Sequence, residues 1–218
     1  MSQTEPIAVL AGTPVDTQMG VDCLMRAGIA GGIPFPLSRD PREQTAFQIS
    51  TQAEKEARVL EILHTAMERG CARALVYCNS LSGSVDFPPL AEKAGLRIVT
   101  PLDVYQTLAP RYQRLGLIAA NAQGLAGIER TLLSANPRLE LLGACALPAV
   151  LSIEAGLDPA ELVERHHLTE VADWFAHCGM EALVLGCTHF PYFKDALAVK
   201  APLPLIDPAD EMLRLLLT

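Results

Sequence analysis

The chain has 218 residues, of which 50% are hydrophobic and 19% are charged, and its formal net charge is −8. A chain this rich in apolar residues is expected to fold around a core, because disordered chains contain fewer of them. Its basic residues are scattered, so neither nucleic acid nor an anionic membrane is expected as a partner. No apolar run reaches the roughly eighteen residues of a transmembrane helix, and none is predicted.

The amino-terminal segment predicts where the protein is located, and this location predicts the state of its cysteines. The segment Met1–Pro6 lacks the basic start and apolar stretch of a signal peptide, which predicts a cytoplasmic protein. There are six cysteines without a CxxC pair, so free thiols are expected and a zinc ribbon is not. We expect four of these thiols to be small core residues, namely Cys23, Cys71, Cys145 and Cys178.

In chain order, short apolar runs alternate with longer amphipathic ones. Strands are predicted at Ile7–Ala11, Ala74–Cys78, Leu96–Val99, Leu115–Ala119, Leu139–Ala144, Ala182–Gly186 and Leu203–Ile206. Helices are predicted at Glu43–Arg69, from Pro101, at Ile128–Ala135, at Pro159–His177 with Asp158 as N-cap, and at Pro208–Leu217. This alternation predicts an α/β fold with parallel sheets and helices on both faces of each sheet.

Three segments recur in the second half of the chain. Those beginning at residues 7, 74 and 98 match, in the same order, those beginning at residues 115, 182 and 205. The nearly constant offset favours a tandem duplication with two similar α/β lobes, although open α/β sheets also produce such echoes. The duplication puts Cys78 and Cys187 at the end of equivalent strands, where open α/β sheets bind their ligands.

Two opposed thiols suit the inversion of a stereocentre. Such a reaction needs a base on one face of the carbon and an acid on the other, and a thiol with a pKa of about 8.5 can serve as either. If the lobes face each other across a pseudo-two-fold axis, both thiols reach one cleft. Short donors follow each cysteine, namely Asn79, Ser80 and Ser82 after Cys78 and Thr188 and His189 after Cys187. They lie on predicted turns, whose free backbone N–H groups are expected to hold a substrate carboxylate, and His189 is expected to stabilise the thiolate or to protonate a developing enolate.

These motifs resemble those of a known family. The segment Leu185–Pro191 resembles the second catalytic motif of glutamate racemases, and Val76–Ser80 is similar to the first. The segment Ala144–Glu154 resembles a family segment that ends in an active-site glutamate. The resemblance to the aspartate/glutamate racemase superfamily spans most of the chain. It implies two α/β domains with the active site between them, and neither pyridoxal phosphate nor a metal as cofactor.

The resemblance also implies roles and boundaries. Cys78 and Cys187 are the expected catalytic acid/base pair, and His189 is expected to assist Cys187. The first lobe is expected to comprise residues 1–101 and 205–218, and the second residues 102–204. A homodimer is compatible with the resemblance. The expected substrate-binding residues are Asn79, Ser80, Thr188, Asn121, Thr13, Gly12 and Glu154.

The first turn departs from the family pattern. Glutamate racemases carry an Asp-Ser-Gly turn after the first strand, and its Asp positions the amino group or assists the first thiol. Here the matching turn is Ala11-Gly12-Thr13-Pro14, and Asp16 is the nearest acid. Aspartate racemases have a Gly-rich turn at this point, but their second motif often has Glu where this chain has His189. The choice between aspartate, glutamate and another substrate stays open.

The sequence therefore predicts a cofactor-independent racemase of an acidic amino acid. Two enzymatic alternatives use the same fold: isomerisation of an unsaturated diacid through attack of one thiolate, and racemisation of a hydantoin. A third alternative is a non-catalytic two-lobed binder of an acidic metabolite, which would not need both thiols.

Overall fold

The computed structural model describes residues 5–218, and at Pro41 the backbone alone. It contains two compact units, one comprising the residues up to Asp103 together with Ala209–Thr218, and the other Val104–Pro208. Most of the amino-terminal segment on which the prediction of a leaderless protein depends lies outside the described residues. Within residues 5–218, no helix is both long enough and apolar enough to cross a membrane.

The first unit is built on a parallel four-stranded sheet. Its strands are β1 (Ile7–Ala11), β2 (Gly32–Pro36), β3 (Arg73–Val76) and β4 (Arg97–Val99), in the spatial order β2-β1-β3-β4. Its helices are α1 (Pro14–Arg26), α2 (Pro41–Ile49), α3 (Gln52–Glu68), α4 (Asn79–Ser84) and α5 (Phe87–Ala94). The helix α6 (Pro101–Leu108) and a 3₁₀ turn at Ala109–Arg111 carry the chain into the second unit.

The second unit repeats this plan. Its strands are β5 (Arg114–Ala119), β6 (Glu140–Cys145), β7 (Ala182–Gly186) and β8 (Leu205–Ile206), all parallel and in the order β6-β5-β7-β8. Its helices are α7 (Ala122–Ala135), α8 (Leu147–Glu154), α9 (Pro159–Arg165), α10 (Leu168–His177) and α11 (Pro191–Ala198). The chain then returns to the first unit as α12 (Ala209–Leu217).

The fold class predicted from the sequence is confirmed. Each unit is an α/β layer structure, and the strand orders of the two sheets are equivalent, as a duplication requires. The inner strands β1 and β7 are buried at every position, because helices cover both faces of a parallel sheet. The sequence predicts that the chain returns to the first lobe at Leu205. In the structure, Leu205 pairs with Leu183 and therefore belongs to the second sheet.

Two long predicted helices are each broken in the structure. The predicted helix Glu43–Arg69 is interrupted at Ser50 and Thr51, because Thr51 is the N-cap of α3 and forms a capping box with Glu54. The predicted helix Pro159–His177 is interrupted at His167, which has a φ of 52° in the left-handed region. The predicted N-cap at Asp158 is confirmed: its carboxylate accepts from the N–H groups of Ala160 and Glu161.

The prediction for the four other cysteines holds for two of them. Cys23 and Cys71 are buried, and burial raises the pKa of the Cys71 thiol, which keeps it protonated. The prediction is wrong for Cys145 and Cys178, which are exposed. Cys145 is the last residue of the edge strand β6, and Cys178 is the C-cap of α10, where neighbouring elements give little cover.

Candidate active site

Each unit presents a cysteine at the carboxyl edge of its sheet. Cys78 follows β3 by two residues, and Cys187 follows β7 directly. These two strands hold the same position in the order of their sheets. Both cysteines are buried, with side chains among the apolar residues of their unit's core. Ligands of open parallel sheets bind at this edge, so each cysteine lies where chemistry is expected.

Polar donors surround Cys78 in the first unit. The Gln44 Nε2 group donates to the Cys78 Sγ atom over 3.5 Å, and the Ser80 Oγ atom lies 3.5 Å from the same sulfur. The Ser82 hydroxyl donates to the Cys78 carbonyl over 2.7 Å and fixes the turn after the strand. Cys78 itself is the N-cap of α4, an extended residue that leads directly into Asn79.

A second glutamine of α2 also donates to Ser80. Gln48 is buried, and its Nε2 group donates to the Ser80 Oγ atom over 2.8 Å. Gln44 donates to the same oxygen over 3.4 Å. Because the Ser80 oxygen accepts from these amides, its own hydrogen can point to the Cys78 sulfur. Gln44 and Gln48 stand one turn apart on α2 and therefore face the same way.

The turn after β1 is organised by Asp16. The buried Asp16 carboxylate accepts from the N–H groups of Gly12 and Thr13, over 3.1 and 2.6 Å, and from the Thr13 hydroxyl over 2.9 Å. Thr13 in turn is the N-cap of α1, which completes a capping box. The structure thus uses Asp16 and Thr13 to begin a helix, and these backbone N–H groups already have an acceptor.

A linked triad of side chains lies in the second unit. The Cys187 Sγ atom is 3.6 Å from the His189 Nδ1 atom. The opposite ring nitrogen, Nε2, is 3.2 Å from the Glu154 Oε1 atom. The His189 and Glu154 side chains are only 5% and 15% exposed, so these contacts are largely shielded from water. Glu154 is the last residue of α8, and this helix end brings it to His189.

The order of these contacts sets the protonation pattern of His189. A carboxylate can only accept, so the hydrogen of the neutral imidazole lies on the Nε2 atom beside Glu154. This leaves the Nδ1 lone pair directed at the Cys187 thiol. His189 can therefore take the thiol proton, and Glu154 then stabilises the imidazolium that forms.

Tyr105 is a further buried group near Cys187. Burial first, and then the negative charges of Asp207 and of the Cys187 thiolate, raise the pKa of the Tyr105 phenol well above its ordinary value. Tyr105 therefore stays protonated at any physiological pH and adds no charge next to the thiol. It lies on α6, for which the sequence predicts only a helix beginning at Pro101.

The remaining candidate residues are placed as follows. Asn79 and Thr188 are buried beside their cysteines in the chain. Asn121 is the N-cap of α7, and its Oδ1 atom accepts from the Gly124 N–H over 2.9 Å. The pairing of Ala119 with Gly186 brings Asn121 and Cys187 to the same edge of the second sheet.

Sequence reasoning missed Gln44, Gln48 and Tyr105. The two glutamines carry a weak signal, since amides at positions i and i+4 of a helix share a face. Nothing in the sequence around Tyr105 distinguishes it from a core residue. Among residues 5–218, no group of three or more His, Cys, Asp or Glu side chains is arranged to hold a metal ion.

Solved structures with the same fold include two racemase-related proteins. Glutamate racemase from Francisella tularensis, solved in complex with D-glutamate, superposes with a TM-score of 0.76 at 21% identity, covering 98% of this chain and 80% of that one. An aspartate racemase homologue from Pyrococcus horikoshii superposes with a TM-score of 0.69 at 14% identity, covering 98% of this chain and 97% of that one. These identities are low, so the two superpositions establish the fold alone.

Sequence comparison goes further. Glutamate racemase from Thermus thermophilus is 33% identical over 156 residues, which cover 69% of this chain and 56% of the relative. The chain therefore spans little more than half the length of that relative. The family model described as Asp/Glu/Hydantoin racemase matches residues 45–216, which contain both cysteines and the Cys187–His189–Glu154 triad. The chain belongs to the Asp/Glu/Hydantoin racemase family.

Proposed function

We propose that the protein racemises an acidic amino acid, aspartate or glutamate, without a cofactor. In this proposal Cys78 and Cys187 stand on opposite faces of the substrate Cα and exchange the roles of base and acid. The observation that carries the proposal is the matched placement of the two thiols. Each follows the equivalent strand of its sheet, and each has hydrogen-bonding partners directed at its sulfur.

The proposed reaction conserves protons. The thiolate of one cysteine removes the Cα proton, and the electron pair of the broken C–H bond is delocalised into the substrate carboxylate. The thiol of the other cysteine then delivers its proton to the opposite face of the carbon. The product has the inverted configuration, and the two cysteines have exchanged protonation states. Donors that hold the carboxylate stabilise the charge as it develops.

The two thiols are supported by different chemistry. His189 and Glu154 can accept the proton of Cys187, which creates a thiolate–imidazolium pair in a shielded site. Cys78 instead has neutral amide and hydroxyl neighbours. Asn79 and Thr188, buried next to the cysteines, and Asn121 at the edge of the second sheet, are proposed to anchor the substrate.

A panel of L- and D-amino acids in deuterated water tests the reaction. A racemase of this type replaces the α-hydrogen with deuterium while the optical rotation decays towards zero. We expect both signals with aspartate or glutamate, followed by NMR and circular dichroism. If a bound acidic amino acid shows neither exchange nor inversion, the proposed function is wrong and a binding protein becomes the better account.

Replacing either thiol tests the mechanism. Because a positioned acid or base contributes about 10²- to 10⁴-fold, Cys78→Ser and Cys187→Ser should each reduce kcat for inversion by that factor. Each variant should retain deuterium exchange with at most one enantiomer, since only one face keeps its base. The control is Cys178→Ser, which changes an exposed cysteine and should leave kcat unchanged.

The alternatives give different results in the same assays. An isomerase that attacks an unsaturated diacid with one thiolate would require only one of the two cysteines. It would show no exchange of a Cα proton. A hydantoin racemase would show exchange with hydantoins and none with free amino acids. Full activity in both single-cysteine variants would contradict the two-thiol mechanism outright.

A further inference from the structure

Gln44 contacts the first thiol but takes part in none of the proton transfers of the proposed mechanism. Its Nε2 atom is 3.5 Å from the Cys78 sulfur and 3.4 Å from the Ser80 oxygen. The amide nitrogen carries two hydrogens, so it can donate to both atoms at once. The side chain is only partly buried, and it comes from α2, which lies far from Cys78 in the sequence.

The donors around Cys78 form one ordered set. Gln48 donates to Ser80 over 2.8 Å, which leaves the Ser80 hydrogen available for the sulfur 3.5 Å away. Gln44 supplies a second hydrogen to the same sulfur. Neither group can remove a proton from the thiol. Both stabilise the thiolate, because hydrogen bonds to a charged acceptor are stronger than those to a neutral one.

The turn after β1 leaves room for this amide. A Cβ atom added at Gly12 would collide with the nitrogen, the carbon and the oxygen of the Gln44 amide. The amide therefore lies directly over the Gly12 Cα atom, and only glycine at this position permits it. Gly12 is thus required for the placement of Gln44, besides any contact that it makes with a substrate.

We propose that Gln44 is a catalytic hydrogen-bond donor that stabilises the Cys78 thiolate, in a position that only a glycine at residue 12 leaves open. The role rests on the proposed function of Cys78 as a base. It makes the two halves of the site chemically different: an amide and a hydroxyl support one thiolate, and a histidine–glutamate pair supports the other.

The test measures the ionisation of Cys78 in the whole protein without substrate. Thiolate absorbance in the ultraviolet is titrated against pH, and the difference from the matching Cys78→Ser protein isolates Cys78. Gln44→Leu fills the same space without a donor, and Gln44→Glu puts a negative acceptor beside the sulfur. Gly12→Ala displaces the amide and keeps it in the chain. The control is Gln52→Leu, which removes an exposed glutamine amide that bonds to Glu56.

The expected effect follows from the strength of a hydrogen bond to a charged group. Gln44→Leu should move the midpoint of Cys78 ionisation upward by about one pH unit, which lowers the thiolate fraction at neutral pH about tenfold. Gln44→Glu should move it at least as far, and Gly12→Ala in the same direction. The Cys187 midpoint should not change in these variants, and the Cys78 midpoint should not change in the Gln52→Leu protein. Circular dichroism verifies that each variant is folded.

Two results would overturn the proposal. One is an unchanged Cys78 midpoint in folded Gln44→Leu and Gln44→Glu. The other is an equal shift of Cys78 and Cys187, which would indicate a general structural effect. Because the titration needs no substrate, it separates this proposal from the proposed function. A shifted midpoint in a protein without racemase activity would keep the role of Gln44 at the thiolate and reject the reaction.

Discussion

At the scale of single residues, a cysteine becomes a useful base only where neighbours stabilise its charged form. In the proposed mechanism Cys187 meets this condition through His189, whose ring contacts both the thiol and Glu154. At Cys71, by contrast, desolvation by burial outweighs the positive charge of Arg69 and raises the pKa of the thiol. The type of residue is the same, and the environment decides whether it is reactive.

Glu154→Gln tests the second half of the site. The amide cannot stabilise an imidazolium as a carboxylate does, so the Cys187 thiolate should become less populated. From the strength of a hydrogen bond to a charged group, we expect a loss of about 10- to 100-fold in kcat/KM. The measurement is the initial rate of inversion across a range of pH. In Glu154→Gln, the rise of this rate on the acidic side should occur at a higher pH than in the unaltered protein.

The matched control for this change is Glu161→Gln, which alters an exposed glutamate that bonds to Arg165 one turn away. Its kcat/KM should equal that of the unaltered protein. An equal loss in both variants, or none in Glu154→Gln, would contradict the assigned role of Glu154.

At the scale of elements, the helix beginnings are determined by short capping sequences. Asp16 accepts three hydrogen bonds from Gly12 and Thr13 at the start of α1, and Thr51 with Glu54 begins α3. These caps compete with the continuation of a helix, which is why the predicted helix Glu43–Arg69 is two helices. Hydrophobic periodicity alone does not detect such a break.

Asp16→Ala should destabilise the protein by about 2–4 kcal/mol, because it removes a helix cap and leaves buried N–H donors without an acceptor. The measurement is the free energy of unfolding from urea titration. Asp158→Ala is the comparison, since Asp158 caps α9 at an exposed position and its loss should cost about 1 kcal/mol. Equal losses in the two variants would show that the burial of Asp16 adds nothing.

At the scale of the whole molecule, the two units share a strand order and differ in the groups around their cysteines. The proposed reaction interconverts two enantiomers, which have the same free energy in water. The kcat/KM values for the two directions must therefore be equal. The separate values of kcat and KM need not be, because Cys78 has amide and hydroxyl neighbours and Cys187 has His189.

We expect kcat and KM to differ between the L-to-D and D-to-L directions while their ratios agree. Initial rates followed by circular dichroism with each pure enantiomer provide the measurement. Identical kcat values in both directions, together with identical pH dependence, would contradict the inequivalence of the two bases.

The amino-acid sequence by itself determined the parallel α/β plan, the strand-end cysteines and the motif that links Cys187 to His189. These features depend on local patterns: apolar runs, turn residues and short motifs. Only the tertiary structure decided that Gln44 and Gln48 face Cys78 and Ser80, and that Glu154 meets His189. Contacts between residues distant in the chain depend on how helices pack on the sheets. The sequence pattern alone does not give the spatial distance between such residues.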